Sequence, residues 1–280
     1  MIRRIWRLHL FTGFTDATME FFLGLRFDNS KRYMDEHRQL YTDEVRLRFY
    51  SLIEDLAPAA LQVDPEMEVR PHKCLSRINR DTRFSADKSP YRDHLWFCFR
   101  KAGADKNNVP CFWFELGPDH MDWGCGTWFE QREMMEVVRR RMLAHPDDFI
   151  HLLDVIERSG LYMGGNRFKR MAVPDELPER LRGWWCQKDV FVSRPVVSMK
   201  PAFTPGLVEA VRRDYLTLKP FYTLMKGCME QAMEEIDAAL KAEADEKLIL
   251  PAQKEFSARA VAENKVDLSG AFVKKYEDDF

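Results

Sequence analysis

The chain has 280 residues, 45% of them hydrophobic and 31% charged, with a formal net charge of −2. This is the balance of an ordinary folded globular protein and excludes a disordered or collagen-like class. A near-neutral total also excludes a global electrostatic pull toward nucleic acid or an anionic membrane.

The first residues, MIRRIWRLHLFTGF, are interrupted by Arg7 and His9 before the apolar run reaches the length of a signal peptide. No later stretch approaches a membrane span. Six cysteines without a C-x-x-C pair read as reduced thiols, so a cytoplasmic protein is expected. Residues 15–26 predict a helix capped by Thr15, with Met19, Phe22 and Leu23 on one side, broken by Asp28, Asn29 and Ser30. From Lys31 the positions Tyr33, His37, Tyr41, Val45, Phe49, Leu52 and Leu56 step by threes and fours. That spacing predicts a long amphipathic helix ending before Pro58.

Strand-like sequence follows at residues 68–79, 93–100, 111–116 and 122–129, separated by GADKNN and GPDH. Connections this short favour antiparallel neighbours. The predicted fold class is therefore α+β, an antiparallel meander sheet of four or more strands flanked by long helices. Helices return at 130–144 and 147–159, a further strand at 189–193, and a last long helix at 206–240, kinked at Pro220. Met225, Met229 and Met233 in it read as core filling. The chain then becomes polar and weakly periodic, which predicts one α+β domain over residues 1–245 and a C-terminal arm or partly ordered tail over 246–280.

Side chains alternate across a strand, so Leu95, Phe97 and Phe99 share a face with Phe112, Phe114 and Leu116, a plain core. The opposite face presents His94, Trp96, Cys98 and Arg100, then Cys111, Trp113 and Glu115, while Gly124 and Gly126 leave side-chain room beside Trp128. Either that face holds a ligand pocket floored by tryptophan, or it is covered by packing with an Arg100–Glu115 salt bridge.

Residues 70–101 hold nine Lys and Arg against three Asp and Glu, a local +6, whereas residues 226–247 hold three basic against seven acidic residues, a local −4. The basic stretch contains NRDTRFSADKSPYRDHLWF. Its Arg77, Arg80, Arg83 and Lys88, with hydroxyls from Ser85 and Ser89, are chemically suited to an oxyanion. Asp81 and Asp87 lie among them and offer the other reading, an ion-pair network that shapes the loop while Tyr91 packs beneath it.

That segment resembles the signature of a conserved-hypothetical bacterial family, the domain of unknown function numbered two-four-six-one. The resemblance extends from Phe11 to about Leu240 through FTGF, DHMDWGCGTW, RRRMLAHPDDF and the K-x-x-x-x-S-R element from Lys188 to Arg194. The chain departs from the family's N-N-R-E-W-F pattern, reading Asp28-Asn29-Ser30-Lys31-Arg32-Tyr33. The resemblance implies one shared fold and carries no assigned activity.

Other constellations are thinner. His72 and Cys74 share a strand face without further ligands nearby in sequence, so no metal site is expected. The run Arg139-Arg140-Arg141, with Arg132 upstream, sits among Glu133 and Glu136 and reads as a solvated helix face. There is no P-loop, no G-x-S-x-G and no G-x-G-x-x-G before a helix, so no cofactor is expected. The functional expectation is a pocket on the sheet for an anionic, phosphorylated small molecule. Arg77, Arg80, Asp81, Arg83, Lys88, Tyr91, Trp96, Arg100, Trp113, Glu115 and Arg194 are its candidate contacts. The competing expectation is a non-catalytic interaction module in which those charges are structural. Neither nucleic acid nor membrane is an expected partner.

Overall fold

The computed structural model describes residues 10–104, 109–127 and 129–262, with side chains up to residue 244. Trp128 lies outside the described residues. Two compact units divide the chain, Met1–Met229 and Glu230–Phe280.

Helix α1 spans Asp16–Phe27, its first turn closed where the Thr15 amide donates to Thr18 Oγ1 at 3.2 Å. Helix α2, Lys31–Glu36, starts on Ser30, whose Oγ accepts from the Tyr33 amide at 3.1 Å. The single long helix expected from Lys31 is instead broken at His37. One turn at Arg38–Leu40 and a π turn at Tyr41–Arg46 lead into α3, Leu47–Val63. The wider π turn re-phases the helix, so that Val45, Phe49, Leu52, Ile53 and Leu56 all turn inward. Pro58 does not end α3 as expected. Leaving the helix there would strand Ala59, Ala60 and Val63, which are buried, and their burial offsets the amide donor that proline lacks.

Strands β1 (Leu95–Phe99), β2 (Cys111–Leu116) and β3 (Met121–Gly126) form an antiparallel meander. After helices α4 (Pro71–Cys74), α5 (Arg132–Ala144) and α6 (Pro146–Arg158), two short strands, β4 (Tyr162–Gly164) and β5 (Phe191–Ser193), complete a five-stranded sheet in the order β1-β2-β3-β5-β4. The α+β class and the antiparallel sheet are as expected from sequence. The strand expected at 68–79 is not formed. Pro71, with no amide to donate, opens the four-residue α4 instead. The flanking chain meets β1 and the residues after it through isolated bridges, Leu75 to Phe97 and Met67 to Lys101, and through Ser76, whose amide donates to the Trp96 carbonyl at 2.8 Å.

One sheet face is the core. Phe97, Phe112, Phe114 and Trp123 are buried there against Phe14, Phe49 and two helices that follow β5. These are α7 (Gly206–Thr217) and α8 (Lys219–Ala262). Tyr215 of α7 donates to the Trp113 carbonyl at 2.7 Å, and Tyr222 of α8 donates to Asp64 at 2.8 Å. The kink expected at Pro220 is a full break at Leu218. Proline cannot donate to the carbonyl four residues back and its ring crowds that carbonyl, so α7 ends and Pro220 sits in the first turn of α8. Met225 and Met229 fill the core, but Met233 is half exposed, which corrects its reading as core filling. Past Asp245 the chain continues as helix to Ala262. Among the described residues no helix is long and apolar enough to cross a membrane.

Candidate functional site

The bridge between Asn79 and Tyr91 closes the basic loop, and the Arg80 amide donates to the Pro90 carbonyl at 2.8 Å. Asn29 clamps its base: the Tyr91 amide donates to Asn29 Oδ1 at 2.9 Å, and Asn29 Nδ2 returns a bond to the Tyr91 carbonyl at 3.0 Å. Inside the loop each candidate cation except Arg77 has a partner. Arg80 pairs with Asp87, Arg83 with Asp81 at 2.6 Å, and Lys88 donates to the Thr82 carbonyl at 2.8 Å. These bonds hold both Asp81 and Asp87 below the usual carboxylate range. Arg77 is exposed. The loop cations thus meet loop acceptors, and no described contact brings Arg80, Arg83 and Lys88 together on one point.

On the open sheet face, Trp96, Glu115 and Asp122 form one cross-strand row, and Cys98, Trp113, Gly124 and Ser193 the next. The room expected at Gly124 is filled by Trp113: a Cβ on Gly124 would come within 2.8 Å of the indole. Gly126 is likewise occupied, with Phe191 Cα 2.5 Å from a would-be Cβ. The glycines therefore serve close packing, and Trp113 is buried. Trp96 is flanked by the Arg92 guanidinium, 4.9 Å from its ring centre, and by His94, stacked at 5.7 Å. Glu115 bonds His120 at 2.9 Å in place of the expected Arg100. That bond lifts the His120 imidazole to about 8 against the opposing pull of burial, and Asp119 at 3.2 Å adds to it. Arg100 contributes its carbonyl, which accepts from the Glu68 amide at 2.8 Å.

Arg194 lies apart from both regions. Its Nε and Nη2 grip Asp214 of α7 at 2.8 and 2.6 Å, and the same carboxylate accepts from Trp123 Nε1 at 2.9 Å. Asp214 is 1% exposed, so Arg194 ties the end of β5 to α7.

A further concentration of cations stands beside α5. The Lys188 amide donates to the Asn166 carbonyl and the Phe168 amide to the Cys186 carbonyl, at 2.8 and 2.9 Å, pairing two extended segments. Asp189 fixes the start of that pairing by accepting from the amide and the side chain of Asn166 at 2.9 and 2.7 Å. Between these segments and α5 opens a cleft of about 480 Å³, within the span of small-molecule sites. Met135, Phe168 and Met171 supply its apolar wall, and Arg132, Arg139, Arg170 and Lys188 its cations, against Glu130 and Glu136. Lys188 pairs with Glu130 at 2.8 Å and Arg132 with Glu136 at 3.2 Å.

Arg139 is the unusual member. It is 8% exposed, which corrects its reading as part of a solvated face, while Arg132 and Arg140 are exposed as expected. Its Nε donates to the Trp185 carbonyl at 2.9 Å and its Nη2 to the Gln187 carbonyl at 2.6 Å, while its guanidinium stands 5.6 Å from the Phe168 ring centre. Among the described residues no carboxylate lies within ion-pair distance of it. Burial lowers its pKa, opposed by the field of Glu136. The signal was present in the sequence: Arg139 falls four residues after Met135 and three before Met142, on the stripe that α5 buries.

Among the described residues, no group of three or more His, Cys, Asp and Glu side chains is placed to hold a metal ion. No curated protein is significantly similar to the chain. Residues 17–224 match the family model described as conserved hypothetical protein (DUF2461), and the chain belongs to that family.

Proposed function

We propose that the protein binds a small anionic, phosphorylated ligand, and that the ligand occupies the cleft beside α5 rather than the signature loop. The observation that carries this reading is the buried guanidinium of Arg139, held by two neutral carbonyls and, among the described residues, with no carboxylate within ion-pair distance. Burying a charge without a counter-charge is costly, and an oxyanion in the cleft would supply that counter-charge. Lys188 and Arg170 stand on the same wall to add donors, and Phe168 with Met171 offers an apolar surface to the body of the ligand. In this reading the ion-paired cations of residues 80–88 shape the scaffold and make no ligand contact.

A thermal-shift series with inorganic phosphate, phenyl phosphate and phenol tests it. Phenyl phosphate at about 100 times its dissociation constant stabilises by about 2.7 kcal/mol, a rise of several degrees. Phosphate alone gives a smaller rise and phenol none. Equal behaviour of all three, or no shift with either phosphate, contradicts the reading.

A further inference from the structure

The signature loop is braced far more heavily than its burial calls for. The Arg80–Asp87 and Arg83–Asp81 pairs, the Lys88 bond to the Thr82 carbonyl and the Ser89 amide bond to Asp87 at 2.9 Å all lie inside it. The Asn29 clamp fixes its base. What this frame presents at its tip is Phe84, 94% exposed, with the Arg83 guanidinium 5.6 Å from its ring centre. An exposed phenylalanine forgoes the transfer free energy that burial would give. Aromatic residues and arginine are both enriched at protein interfaces. The loop's surroundings are cationic: residues 77–92 hold five Lys and Arg against two Asp.

The chain also carries a surface of complementary composition. Along α8, Met233, Ile236 and Leu240 are 50%, 40% and 59% exposed. They stand at i, i+3 and i+7, which places them on one side of the helix. Residues 230–244 around them hold five Asp and Glu against one Lys. An apolar stripe bordered by carboxylates is the counterpart of an aromatic tip bordered by cations.

We propose that the chain pairs with a second copy of itself, with Phe84 of one copy seated on the Met233, Ile236 and Leu240 stripe of the other, and Arg83 and Lys88 facing Glu234 and Asp237. Both halves of the contact reside on one chain and carry opposite charge, which favours a second copy over an unrelated protein.

Sedimentation velocity on the full chain over rising concentration tests this. The expected result is a dimer that weakens at high salt. Phe84→Ser and Ile236→Glu each weaken it by roughly tenfold or more. Both positions are exposed, so at a concentration low enough for the wild-type chain to be monomeric each variant melts with the wild type, and that measurement confirms that both are folded. Asp237→Arg weakens the dimer, and adding Arg83→Glu to it restores part of the loss. A chain that stays monomeric at every concentration overturns the proposal. So does a dimer that responds to the loop variant alone, the helix variant alone or neither.

Discussion

Replacing Arg194 by methionine removes both charged bonds to Asp214 and keeps the aliphatic bulk. The carboxylate, 1% exposed, is left with Trp123 Nε1 at 2.9 Å and a long contact from Arg213 at 3.5 Å. Breaking a buried ion pair from one side costs about 3–5 kcal/mol. The surviving indole bond and the partial exposure of Arg194, 19% at its side chain, place this case near 3 kcal/mol at the low end of that range. For a chain of this size that is a fall of about 6–12 °C in melting temperature. Adding Asp214→Asn removes the stranded charge and leaves an acceptor for Trp123, so the double variant recovers about half of the loss. Urea unfolding followed by tryptophan fluorescence reads both numbers. A loss under about 1 kcal/mol, or a double variant no more stable than the single one, refutes the structural role of Arg194 argued from this pair.

Arg83→Ala acts on a pair with 77% and 56% exposed side chains, so the urea midpoint stays close to the wild-type value; a clear fall in the midpoint contradicts this. His120 has a raised pKa in the folded state, near 8 against an ordinary 6.5. Its contribution is therefore complete below pH 6.5 and is lost as pH rises through 8. With 41% of the side chain exposed, screening holds that contribution to about 1 kcal/mol or less. Urea midpoints measured across this interval check the sign, and stability that rises there contradicts it. Gly117→Ala places a methyl group within 2.6 Å of His120 Nδ1 and pushes the ring off Glu115, so the imidazole titration followed by NMR moves down toward 6.5.

Periodicity made most of the fold legible. Alternation in LWFCF separates the core face from the other face as the structure does, whereas β2 is buried on both faces, Cys111 and Trp113 included. The threes and fours after Lys31 and Gly206 place the helices that cover the core face. What escaped the sequence depends on partners distant in the chain. Trp113 fills the room over Gly124 only because the strand register sets them opposite one another, and register is not visible in either strand alone. The three-residue strand β4 is too short to show alternation, whereas β5 falls inside the strand expected at 189–193; Asp189 and Asn166 fix their pairing through bonds spanning more than twenty residues. The loop charges looked available because sequence does not reveal whether Asp81 and Asp87 turn inward to them. Arg139 was hidden by its neighbours Arg140 and Arg141, although its own phase on α5 marks the buried side.

Calorimetric titration of phenyl phosphate into the chain, into the Lys188→Ala, Arg170→Ala double variant and into Arg83→Ala tests most directly where an anion binds. The double variant is expected to lose about 10- to 100-fold in affinity, the scale of one or two charge-assisted hydrogen bonds, while Arg83→Ala binds as the wild type does. Full affinity in the cleft variant would rule out the cleft, and loss of affinity in Arg83→Ala would return the anion to the signature loop.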